Sequence, residues 1–93
     1  MIFDSHCHLD APEFDADRSE VVARASAAGV RWQLVPAIDR ATWEHTRAAC
    51  ALSPGLYAAY GLHPLLLAKH RPGHLEELAT WLQVERPRAV GEC

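Results

Sequence analysis

Short apolar runs alternate with amphipathic stretches along this 93-residue chain, and that alternation limits the folds open to it. Ile2 and Phe3, then residues 32–38, 56–60 and 88–91, read as four strands. Pro36 removes one ladder donor and marks the end of the second. Between them, residues 17–28 place Val21, Val22 and Ala25 at helical spacing and stop at Gly29. Residues 42–52 form a second helix, halted by Ser53-Pro54-Gly55. The third, residues 75–84, sets Leu75, Leu78, Ala79 and Leu82 on one face and Glu76, Glu77 and Gln83 on another, with Pro87 as its breaker. Strands alternating with helices predict an α/β fold of parallel βαβ units with right-handed crossovers.

The first strand runs into a polar cluster, Asp4-Ser5-His6-Cys7-His8-Leu9-Asp10. Residues two apart on a strand share a side, so His6 and His8 leave one face together while Cys7 turns to the other. Neutral imidazole is the commonest protein ligand for divalent transition metals. A solvated turn would carry the same letters. The flanking acids and the position directly after an apolar strand favour a metal site. Asp4 or Asp10 could orient an imidazole through its second nitrogen. His45, His70 and His74 lack such partners and read as surface residues.

The remaining polar candidates recur at one end of the strands. His6 and His8, Asp39, His63 and Glu92 all fall at or just past strand carboxyl ends, which form the catalytic face of a (β/α)8 barrel. Gly61 allows close backbone approach near His63, which could donate to a phosphate oxygen or simply cap its turn. Glu92 is the natural third partner of the histidines; its alternative is an exposed terminal glutamate.

Size allows one small domain. A formal charge of −3 and no Lys/Arg run exclude an electrostatic footprint for nonspecific nucleic-acid binding, so such a substrate would have to be held by metal ions. Cys7, Cys50 and Cys93 are odd in number and widely spaced, which is no disulfide framework. Cys7 and Cys50 read as small buried apolar groups. Neither a leader nor an apolar run long enough for a bilayer is evident, so a soluble cytoplasmic protein is expected.

The run from Asp4 to Asp10 resembles the opening signature of the TatD family of metal-dependent hydrolases, within the wider amidohydrolase group. Tyr60-Gly61-Leu62-His63-Pro64 is similar to that family's Gly-x-His-Pro segment, and Ala89-Val90-Gly91-Glu92 to the start of its Gly-Glu-x-Gly-Leu-Asp segment. The three motifs stand in the family's order. The resemblance implies the first part of a TIM-type (β/α)8 barrel, about four parallel strands with three helices, not closed in this chain. Residues 1–93 would be the N-terminal portion of a single TatD-like domain. The implied activity is that of a deoxyribonuclease, cleaving phosphodiester bonds with a metal-activated water. Its cofactors would be divalent ions, Mg2+, Mn2+ or Zn2+, two in the complete enzyme. His6, His8 and Glu92 would be metal ligands and His63 a substrate-side residue. DNA or another phosphodiester is the implied partner, with no membrane and no obligate protein partner.

The family's later ligands, two histidines and an aspartate, have no counterpart here, and Cys93 stands where the Gly-Leu-Asp continuation would follow. An incomplete fragment with little or no activity of its own is therefore expected. Two other readings are an amidohydrolase acting on a C–N or ester bond, and a metal-binding remnant without turnover.

Overall fold

The computed structural model describes all residues, 1–93. Four strands form one parallel sheet in the order β1-β2-β3-β4: β1 Ile2–Asp4, β2 Val30–Pro36, β3 Leu56–Tyr60 and β4 Ala89–Val90. Three helices alternate with them: α1 Arg18–Ala27, α2 Trp43–Cys50 and α3 Pro72–Glu85. This is the expected open segment of a (β/α) barrel, with sequential strands as neighbours. Three short 3-10 turns, at Pro12–Phe14, Arg40–Thr42 and Pro64–Lys69, follow the carboxyl ends of β1, β2 and β3. No helix is long and apolar enough to cross a membrane.

Local chemistry explains where the elements stop. Gly29 takes φ +98°, the left-handed conformation that ends α1 and costs glycine little, and its carbonyl receives the Ile2 N–H at 2.8 Å. β2 therefore begins at Val30, which pairs with Ile2, two residues before the expected Trp32; Pro36 closes it. Thr42 lies outside α2 because it belongs to a reciprocal cap. Asp39 Oδ1 accepts the Thr42 N–H, and Thr42 Oγ1 accepts the N–H groups of Ile38 and Asp39. α3 starts earlier than its apolar pattern, at Pro72, where the missing N–H leaves nothing unsatisfied. It ends at Glu85, with Arg86 rather than Pro87 turning the chain out at φ 48°.

Two small cores lie between the sheet and its helices. Leu9, Val35 and Leu56 form the first, with Cys7, Val21, Val22 and Cys50 against it. Burial pushes the Cys50 thiol up to about 12 and raises that of Cys7, so both behave as apolar packing groups at neutral pH. Ala37, Trp43 and Tyr60 form the second, covered by Leu78, Trp81 and Leu82 of α3. The packing stripe of α3 thus includes Trp81, edge-on to Tyr60 at 5.5 Å, whereas Leu75 and Ala79 face solvent. The α3 pattern misleads because Trp81 outweighs two smaller side chains in apolar area. On the outer strands, Ile2, Phe3 and Val90 are exposed.

One close approach sets the path of the last strand. A Cβ on Gly61 would lie 2.6 Å from the Glu92 carbonyl oxygen and 2.7 Å from the Gly91 carbonyl carbon, all backbone atoms that cannot swing aside. The Gly61 carbonyl in turn accepts the indole N–H of fully buried Trp43 at 3.1 Å. Trp43→Ala should destabilise the chain by about 3–5 kcal/mol in equilibrium urea denaturation, the usual cost of deleting a buried indole. Gly61→Ala should cost about 1–3 kcal/mol through overpacking. Gly73→Ala, with nothing within 4 Å of the added methyl, should cost nothing.

Candidate metal centre

His6 and His8 lie just past the end of β1, yet they keep strand-like alternation. Cys7 N–H still donates to Leu34 O at 3.1 Å, which extends the β1–β2 ladder beyond Asp4. Cys7 therefore points into the first core and the two imidazoles turn out together, their Nε2 atoms 3.1 Å apart. Arg18 fixes the turn that follows, donating from Nε to Leu9 O and from Nη2 to Ala11 O, both at 2.7 Å. From α2, the buried Thr46 hydroxyl donates to Asp10 Oδ2.

Glu92 reaches the same spot from β4. Its N–H donates to Ala37 O at 3.0 Å, across the sheet, while Gly91 N–H donates to Tyr60 O at 2.9 Å. Glu92 Oε2 then sits 3.2 Å from His8 Nε2 and 3.4 Å from His6 Nε2. It is buried and has no hydrogen-bond partner. A buried carboxylate oxygen without a donor is costly unless a cation completes it.

The distances among the three atoms test whether one ion fits. Ligand atoms about 2.0–2.1 Å from a common ion, at angles between octahedral and tetrahedral, lie about 2.8–3.4 Å from one another. The three observed separations are 3.1, 3.2 and 3.4 Å. Two imidazole nitrogens and one carboxylate oxygen also form a donor set suited to divalent ions. The residues fit the group.

His63 approaches from the turn after β3. Its N–H donates to Ile38 O at 2.7 Å, its Nδ1 accepts Leu65 N–H at 3.0 Å, and its Nε2 lies 2.9 Å from Glu92 Oε1. Its carbonyl is held by His70 Nε2 at 2.7 Å. His70 is therefore more than a surface group, and only its contact with His63, invisible in sequence, reveals this. His74 Nδ1 accepts Arg71 N–H at the start of α3, and His45 is exposed as expected.

The acids near the histidines serve the backbone instead of the rings. Asp4 Oδ1 accepts the His6 N–H at 3.1 Å, and Asp10 is held by Thr46; neither bonds an imidazole. Asp39, placed by its strand-end position among the candidates, is consumed by the Thr42 cap and stays outside the histidine–glutamate cluster. Beside the cluster lies a cavity of about 590 Å3, lined among others by His8, Asp10, Asp39, His45 and Lys69.

Known proteins resemble the chain in sequence and in fold. A family model described as TatD related DNase matches residues 3–93. The uncharacterized metal-dependent hydrolase YjjV of Escherichia coli K12 is 41% identical over 92 residues, covering 96% of this chain and 35% of that protein. The 3'-5' ssDNA/RNA exonuclease TatD of Klebsiella pneumoniae is 29% identical over 92 residues, covering 99% and 35%. A crystal structure of YjjV, a TatD homolog from E. coli K12, superimposes with a TM-score of 0.88 at 40% identity, over 98% of this chain and 36% of that one. The chain thus spans about a third of the length of the curated relatives it matches. It belongs to the TatD-related DNase family.

Proposed function

We propose that this chain contributes to a metal-dependent hydrolase of the TatD-like deoxyribonuclease type, cleaving phosphodiester bonds in DNA or a related substrate. Residues 1–93 are, in this reading, the N-terminal portion of a single hydrolase domain. The observation that carries it is the triangle formed by His6 Nε2, His8 Nε2 and Glu92 Oε2, whose edges match ligands around one ion. Relatives described as a 3'-5' ssDNA/RNA exonuclease and a putative deoxyribonuclease support nucleic acid as the substrate class.

Each residue has a defined task. His6 and His8 would each offer a neutral ring nitrogen to the ion, and Glu92 the negative charge that offsets the loss of its hydration. Mg2+, Mn2+ and Zn2+ all accept mixed nitrogen and oxygen ligation. An ion held by His6, His8 and Glu92 would supply Lewis-acid chemistry, lowering the pKa of water toward neutrality and polarising a phosphoryl oxygen. With a net charge of −3, the protein surface adds little attraction for a phosphate, which leaves that attraction to the ion.

With three ligands present, the isolated chain should take up metal while hydrolysing DNA no faster than background. Equilibrium dialysis against Mn2+ should show uptake by the unaltered chain. His6→Ala should weaken it by more than about 100-fold, since even outer partners of metal ligands are worth about 10–100-fold. Calorimetry should then show thymidine monophosphate binding to the Mn2+-loaded chain and not to the metal-free one, with a cyclic amide such as dihydrouracil failing to bind. Lack of Mn2+ uptake by the folded chain, or preference for the amide, would overturn the proposal.

A further inference from the structure

We infer that His63 is a positioning residue for Glu92, holding one carboxylate oxygen so that the other faces His6 and His8. This rests on the metal reading of the site and deepens it, since a residue expected on the substrate side acquires a task behind a ligand.

The tautomer of His63 follows from its neighbours. A backbone N–H can only donate, so the Leu65 N–H at 3.0 Å requires a bare Nδ1. The neutral ring then carries its proton on Nε2, the atom 2.9 Å from Glu92 Oε1. A protonated Nε2 cannot ligate a metal, but it attracts a carboxylate oxygen. The other oxygen, Oε2, makes no hydrogen bond and lies at the longer distances of 3.2 and 3.4 Å from the Nε2 atoms of His8 and His6.

The ring is also well anchored. Its backbone is held by Ile38 O on one side and His70 Nε2 on the other, both at 2.7 Å. Ala37 O and Ile38 O are successive carbonyls, and they hold Glu92 N–H and His63 N–H respectively. The backbones that carry the two side chains are thus fixed relative to each other by two adjacent peptide units beyond β2. The His63 side chain is only 22% exposed, which limits its freedom to leave Glu92 for a ligand.

Two measurements on the 93-residue chain test this. Zn2+ affinity, read by competition with a chromophoric chelator, should fall about 10–100-fold in His63→Phe, as for other partners of metal ligands. His63→Gln, which keeps an N–H donor, should recover most of the loss, and circular dichroism of the metal-free variants should match the unaltered chain. In the metal-free protein, nitrogen NMR of the ring should report the Nε2–H tautomer, and Glu92→Gln should shift the His63 Nε2 resonance while leaving His74 unmoved. This second arm keeps the test informative if His63→Phe does not fold. Zn2+ binding by a folded His63→Phe equal to the unaltered chain, or an Nδ1–H tautomer, overturns the positioning role and leaves the metal reading intact. Absence of Zn2+ uptake by the unaltered chain overturns the metal reading and this role with it, and the nitrogen spectra still report the His63–Glu92 contact separately.

Discussion

The site depends on two successive carbonyl groups beyond β2. Ala37 O seats the Glu92 backbone at 3.0 Å and Ile38 O seats that of His63 at 2.7 Å. Residues separated along the chain by more than fifty positions from the opening histidines thereby reach the same rim. Backbone hydrogen bonds suit this task because every residue supplies them and their geometry is directional. β2 is the strand that can do it: it pairs with β1 on one side and β3 on the other, and its Val35 and the Ala37 just beyond it are fully buried.

Packing converts that scaffold into a fixed geometry. Trp43 fills the second core and holds the Gly61 carbonyl, while Gly61 itself lets β4 come close enough for Glu92 to turn inward. On the other flank, Arg18 and Thr46 hold the turn after His8. Within the cluster, the buried Glu92 Oε2 makes no hydrogen bond and lies 3.2 and 3.4 Å from the Nε2 atoms of His8 and His6, which face each other at 3.1 Å. In the proposed reading, a cation shared by the three groups would complete that carboxylate oxygen.

Much of this was legible in the residues. Period-two alternation placed His6 and His8 together and Cys7 apart, and that survives the strand's ending at Asp4 because the ladder continues through Cys7 N–H. The order of strands and helices, and the bounds Leu56–Tyr60 of β3, follow from apolar runs and turn residues. What sequence could not show are contacts between distant elements. Asp39 looked like a site residue by position, and only the Thr42 cap reveals its structural use. Leu75 matches Leu78 in the apolar pattern, yet Leu75 is exposed and Trp81, set between Trp43 of α2 and Tyr60 of β3, does the packing. His70 and the partner of His63 depend on how the Pro64–Lys69 turn folds back, and no local pattern encodes that.

The central claim, that His6, His8 and Glu92 share one cation, is tested most directly by X-ray absorption of the chain loaded with a single equivalent of Zn2+. The account predicts a first shell of imidazole nitrogen and carboxylate oxygen at about 2.0–2.1 Å, with the outer scattering pattern of histidine rings lost in His8→Ala. A sulfur shell at about 2.3 Å, which would place Cys7 or Cys93 on the ion, or a spectrum of hydrated zinc alone, would contradict it.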